Sequence, residues 1–173
     1  VKTYNLNYET SCKNIIYTLV KCLEYIHSKG VIHRDLKLEN VMFNRYNNCY
    51  DTVKIIDFGL ATYYKSTPEH SRLGTQLYVS PEVINGSYTK TCDIWSIGII
   101  TYILLCGCHP FVAKTKNKIF YKIKDLQYSF PDKLWYGISI DAINLITNIL
   151  KYENDRYSIS EIINHKWFDD IRK

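Results

Sequence analysis

The stretch 91–107 constrains this chain more than any other: Thr-Cys-Asp-Ile-Trp-Ser-Ile-Gly-Ile-Ile-Thr-Tyr-Ile-Leu-Leu-Cys-Gly. It is apolar almost throughout, with no polar face at helical spacing, and a helix apolar all round has to be enclosed by other elements. The expectation is therefore a central, buried helix. Its apolar part, Ile94 to Leu105, is too short to span a bilayer and contains Ser96 and Gly98. A chain of 173 residues is long enough to wrap one sizeable core around such a helix. One carboxylate, Asp93, is carried into that core and needs hydrogen-bond partners there.

Polar chemistry concentrates elsewhere, in His33-Arg34-Asp35-Leu36-Lys37-Leu38-Glu39-Asn40. Val31-Ile32 before it and Val41-Met42-Phe43 after it read as short strands, so a polar loop is clamped between apolar runs. Asp35 can accept a proton from, or orient, an attacking hydroxyl. Lys37 can neutralise a transferring phosphoryl group, and Asn40 offers an oxygen to a hard cation such as magnesium. An amphipathic helix over about 8–28 delivers the chain into the loop: Ile15, Ile16, Leu19, Leu23 and Ile26 recur at its period, Thr10 or Ser11 caps it and Gly30 stops it. Beyond the loop comes a turn-rich polar hairpin tip, then Val53-Lys54-Ile55-Ile56 as the returning strand. It ends at Asp57-Phe58-Gly59, a carboxylate placed to hold a metal facing phosphates. Residues 60–80 hold few large aliphatics and many hydroxyls, which predicts a switchable loop. The remainder is expected to be helical over 116–125, 139–150 and 158–164, with Pro131 and Gly137 as punctuation.

These segments together resemble the protein kinases. The octet matches their catalytic loop, H-R-D-L-x-x-x-N, and Lys37 is the serine/threonine form of it. Asp57-Phe58-Gly59 is similar to their metal-binding triplet. Gly74 to Glu82 resembles the segment G-T-x-x-Y-x-[A/S]-P-E, with Ser80 in place of the commoner Ala. The central helix resembles D-x-W-S-x-G, and His165-Lys166-Trp167-Phe168 the H-P-W-F close of the domain, with Lys for Pro. The resemblance covers residues 8 to 168, and its wording leans to the calcium/calmodulin-dependent and calcium-dependent kinases. No EF-hand pattern is present.

The resemblance implies a mainly α fold, the large C-terminal lobe of a protein kinase with a short β-hairpin at the catalytic loop. It also implies transfer of the γ-phosphate of ATP to serine or threonine of proteins, with Mg2+, as part of a longer kinase. By it, Asp35 orients the substrate hydroxyl, Lys37 steadies the γ-phosphate, and Asn40 and Asp57 hold magnesium. Thr75 hydrogen-bonds Asp35 and Lys37, Met42 forms part of the floor under the adenine, and Glu39 receives a basic residue upstream of the acceptor. Arg34 pairs with an activating phosphate on Ser71 or, as a second candidate, Thr67. His33 and Phe58 are structural supports, Asp93 ties down the catalytic-loop backbone, and Glu82 pairs with Arg156. No G-x-G-x-x-G loop, V-A-I-K lysine or partner glutamate occurs, so the chain is expected to be a partial kinase domain without the N-terminal lobe. The alternative is a catalytically incompetent lobe serving as an interaction module.

Composition narrows the rest. The net charge of +5 is modest and only Lys114, Lys116 and Lys118 cluster, which disfavours nucleic-acid binding. The six cysteines fit no zinc framework and most lie in apolar runs, the pattern of reduced thiols in a cytoplasmic or nuclear protein.

Overall fold

The computed structural model describes residues 6–43, 53–64, 77–86 and 89–172. Helix α1 (Leu6–Ser28) opens the chain and is followed by β1 (Val31–Ile32), a 3-10 turn (Leu38–Asn40), β2 (Val41–Phe43), β3 (Val53–Ile55) and β4 (Thr62–Tyr63). Six helices follow: α2 (Pro81–Ile84), α3 (Thr91–Cys106), α4 (Lys116–Lys124), α5 (Asp132–Trp135), α6 (Ile140–Ile149) and α7 (Ile159–Ile163). The strands form two small antiparallel pairs, β1 with β4 and β2 with β3. The expected mainly α architecture with a hairpin at the catalytic loop is what the chain adopts. The pairing of β1 with β4 was not legible in advance, because two-residue strands carry no periodicity.

The central helix lies where its composition requires. On α3, thirteen residues from Cys92 to Cys106 are buried, and the helix packs against α1, α5 and α6. Gly107, at φ 77°, ends it in the left-handed conformation that glycine adopts without a Cβ penalty. Halfway along, Gly98 allows α6 to come close: a Cβ there would lie 2.6 Å from Ile149 Cγ2 and 2.8 Å from Leu150 Cδ2. Trp95 stacks on Phe111 at 5.7 Å, and an aromatic chain of Tyr102, Phe130, Trp135 and Tyr128 closes the core toward α5.

α1 supplies the opposite wall. Ile16, Leu19, Val20 and Leu23 are buried along one stripe. The helix starts earlier than its sequence suggests, and Thr10 and Ser11 lie inside it rather than capping it. Tertiary bonds hold the extra turn. The Tyr8 hydroxyl donates to Leu104 O at 2.5 Å, and Glu9 accepts from the Ser139 amide (2.9 Å) and from Trp167 Nε1 (2.7 Å). Lys13 adds an ion pair to Asp170 at 2.8 Å. Ser139 and Ser158 cap α6 and α7, the second in a full capping box with Glu161. The short α5 arises between Pro131 and Gly137, the two residues that punctuate the helical remainder.

Gly98→Ala places a methyl group inside two packed side chains. It is expected to lower the unfolding free energy by about 1–3 kcal/mol in urea denaturation. An unchanged midpoint would show that α3 and α6 can part freely.

Candidate active site

The octet follows α1 through Gly30, whose φ of 74° turns the chain out of the helix. The β2–β3 register pairs Val41 with Ile55, and the Ile56 amide donates to Asn40 O at 2.9 Å. This pairing brings the end of the catalytic loop beside the start of Asp57-Phe58-Gly59. The loop is thus held at one end by β1 and at the other by β2.

Within it, Lys37 Nζ lies 2.7 Å from Asp35 Oδ2, and Asn40 Nδ2 donates to Asp35 O at 2.9 Å and to Asp35 Oδ2 at 3.4 Å. The hydrogen bond to Asp35 raises the pKa of Lys37 above that of an ordinary lysine, with the charges of Asp35, Glu39 and Asp57 adding to it. The ammonium is therefore secured in its charged form at neutral pH. Asn40 is buried, and its Nδ2 is committed to Asp35, which leaves its Oδ1 as the atom available to a cation. Asp57 is exposed and takes the Gly59 amide on Oδ1 at 3.1 Å. One carboxylate and one amide oxygen suit magnesium, which takes few protein ligands and completes its shell from phosphate and water.

Beneath the loop lies Asp93, 1% exposed. Its Oδ1 accepts the Arg34 amide at 2.9 Å; its Oδ2 accepts the His33 amide at 2.9 Å and His27 Nε2 at 2.8 Å. His33, fully buried, receives the Asp35 amide on Nδ1 at 3.3 Å. Its proton is accordingly on Nε2, which donates to Ile56 O at 3.1 Å. Phe58 packs edge-on against the same imidazole at 4.9 Å. Two non-glycine residues of the site sit in the left-handed region, Arg34 (φ 68°) and Asp57 (φ 60°). Such backbone costs of order 1–3 kcal/mol each and persists only where surrounding bonds dictate it.

The structure brings together His33, Asp35, Lys37, Asn40, Asp57 and Phe58, with Asp93 below them. Glu39 is exposed at the loop edge, and the Tyr78 phenol, whose pKa is raised mainly by burial, lies against it and the Leu38 backbone. Met42 is half exposed on β2. Arg34 donates through Nε to Leu60 O at 2.6 Å. Thr67, Ser71 and Thr75 lie outside the described residues.

Glu82 and Arg156, paired above through the resemblance, are in direct contact. Arg156 Nη1 lies 2.6 Å from Glu82 Oε1 and its Nη2 2.9 Å from Oε2, a bidentate pair with the arginine side chain fully buried. The guanidinium also donates to Thr91 O and Lys151 O and lies 5.1 Å from the centre of the Trp95 ring. One site residue was missed: His27, which continues the buried stripe of α1 after Leu23. A polar residue at an apolar helical position was the available signal. The five described cysteines are free thiols. Burial pushes Cys12 up to about 11 and Cys92 well above its ordinary value, so neither is a ready nucleophile.

Breaking the Glu82–Arg156 pair on one side leaves a desolvated charge. Arg156→Leu is expected to destabilise the protein by about 3–5 kcal/mol in chemical denaturation. The double replacement of both residues by leucine should cost less than the two single losses added together.

Comparison with known proteins agrees with this geometry. The protein kinase domain family profile matches residues 2–168. Calcium-dependent protein kinase 5 of Plasmodium berghei (strain Anka) is 42% identical over 166 residues, which cover 93% of this chain and 28% of that protein. A probable myosin light chain kinase of Dictyostelium discoideum is 39% identical over 170 residues, covering 96% of this chain and 43% of the relative. Serine/threonine-protein kinase 33 of Bos taurus is 37% identical over 169 residues, 92% of this chain and 35% of its own. The chain thus spans between 28% and 43% of the length of these curated relatives.

Proposed function

The chain belongs to the protein kinase domain family, and from that premise we propose that it carries the catalytic loop of a serine/threonine kinase using ATP and Mg2+. The observation that carries the reading is Lys37 and Asn40 both hydrogen-bonded to Asp35, beside Asp57. Asp35 orients the acceptor hydroxyl and takes its proton as the oxygen attacks the γ-phosphorus and the bond to the ADP oxygen breaks. Lys37 places its positive charge against the phosphoryl group in flight. Asn40 and Asp57 would hold magnesium, which when bound neutralises charge on the phosphates. Met42 contributes to the adenine floor, and Thr75 supports the substrate side of Asp35 and Lys37. Glu39 offers a carboxylate to a basic residue upstream of the acceptor. Arg34 is the receiver for a phosphate on Ser71 or Thr67. The relatives bearing calcium-dependent names favour that branch of the family.

The test is transfer from labelled ATP to a serine peptide with an upstream arginine, using the full-length protein. Asp35→Ala is expected to reduce kcat by about 10²–10⁴-fold. Wild-type protein no faster than Asp35→Ala would overturn the reading and leave an interaction module. Separately, Glu39→Ala should raise KM for the arginine peptide and leave a peptide lacking that arginine unaffected. Equal effects on both peptides would remove Glu39 from substrate recognition.

A further inference from the structure

We propose that His109 is a positioning residue for peptide recognition: its ring walls in Tyr78, and Tyr78 holds the Glu39 carboxylate where a basic residue upstream of the acceptor meets it. Its part in recognition rests on the reading of Glu39 given above.

His109 lies just beyond α3, in the turn Gly107-Cys108-His109-Pro110-Phe111. Its Nδ1 accepts the Phe111 amide at 3.1 Å, which puts the proton of the neutral ring on Nε2. Burial lowers its pKa, so the neutral ring is the form present at neutral pH. Phe111 is fully buried and stacked on Trp95, which fixes the turn to the core. For the bond to the Phe111 amide alone a shorter side chain suffices, because an asparagine oxygen also reaches the amide two residues on. The turn accounts for an acceptor at this position and not for the rest of an imidazole.

The rest of the ring faces the segment before α2. It meets Tyr78 edge-to-face, with centroids 5.9 Å apart and planes at 87°, an arrangement that aromatic quadrupoles favour. Its Nε2 is enclosed beside the Leu77 carbonyl, without closing a hydrogen bond of ordinary geometry. Tyr78 is thereby held at three points. Its carbonyl accepts Ser96 Oγ of α3 at 3.3 Å, its ring meets His109, and its phenol lies against Glu39 and the Leu38 backbone. The first contact fixes the backbone, and the second fixes the side chain from outside the catalytic loop. The third then acts on the loop.

Glu39 needs such a partner. Its carboxylate is exposed on a long, freely turning side chain, so an arginine that captures it must first immobilise it. A phenol O–H against the carboxylate is a donor that keeps it in place before the peptide arrives. Without the His109 ring, Tyr78 can turn away, and Glu39 reverts to an unrestrained surface side chain. The loss falls on arginine recognition.

Two variants separate the ring from the acceptor. His109→Asn keeps an acceptor for the Phe111 amide and removes the ring, whereas His109→Phe keeps a ring and removes the acceptor. In the full-length protein, initial rates are measured on two serine peptides, one with and one without an upstream arginine. Urea midpoints and the fluorescence anisotropy of the labelled arginine peptide are measured beside them. His109→Asn is expected to raise KM about 3–10-fold more for the arginine peptide than for the other, with kcat for the two changed alike. In the Glu39→Ala background that difference should vanish. His109→Phe should lower the urea midpoint and retain the preference for arginine. Equal changes in KM for both peptides under His109→Asn, or a difference that survives Glu39→Ala, would show a structural role only and overturn the proposal. So would His109→Phe losing the preference as fully as His109→Asn. Should His109→Asn not fold, His109→Ser, whose hydroxyl also accepts the amide, replaces it with the same expectation. Glu39→Ala without effect on the arginine peptide ends the substrate reading and the proposal with it. An effective Glu39→Ala beside an inert His109→Asn ends the proposal alone. If wild-type protein transfers no phosphate, anisotropy decides: weaker arginine-peptide binding by His109→Asn supports the linkage, and equal binding ends it.

Discussion

Charge buried at the first turn of the central helix governs this site. A carboxylate as enclosed as Asp93 is tolerable only with its acceptor capacity satisfied, and the chain satisfies it mostly from the catalytic loop. The two requirements are met by the same bonds. The loop needs a rigid support for two backbone amides, and the helix needs donors for a charge it cannot expose. Because α3 is enclosed by α1, α5 and α6, that support is part of the packed core, and the loop is bonded directly to it. His33 extends the connection upward, bonded through one nitrogen to the Asp35 amide and through the other to Ile56 O on the returning chain.

Glu82 and Arg156 perform a similar service for the segment on the other side of the site. Their bidentate contact joins α2 to the turn before α7, and the further bonds to Thr91 O and Lys151 O tie that junction to both ends of the intervening chain. Each of these ionic contacts connects elements far apart in sequence. Apolar packing gives the lobe its cohesion, and the buried charges set which loops face one another and in what register.

Much of this was legible because the signals were strong ones. The all-apolar stretch around Trp95 could only be a buried helix, and the octet from His33 to Asn40 has few uses other than the one its resemblance names. Arg156 and Glu82 were paired through the family motif rather than through any local pattern, since nothing in either neighbourhood specifies a partner in the other. What escaped was decided by tertiary contact. The start of α1 depends on Glu9 reaching Ser139 and Trp167. The pairing of Val31-Ile32 with Thr62-Tyr63 depends on where the intervening loop returns. His27 gives no local signal beyond a polar residue on an apolar stripe, and its bond to Asp93 is visible only once the two helices are packed.

The bonds from Glu9 to Trp167 and from Lys13 to Asp170 join the first helix to the last turn of the described chain. Incoming and outgoing chain therefore meet on one side of the lobe, close together, as is common for domains that accept fusion and insertion. For a polypeptide extended in both directions, the consequence is one of tethering. Flanking segments would start from neighbouring points and encounter each other at the high effective concentration that a short separation of attachment points imposes. The Tyr8–Leu104, Glu9–Trp167 and Lys13–Asp170 contacts stand between those two ends and the buried carboxylate under the catalytic loop, so tension on the ends bears on them.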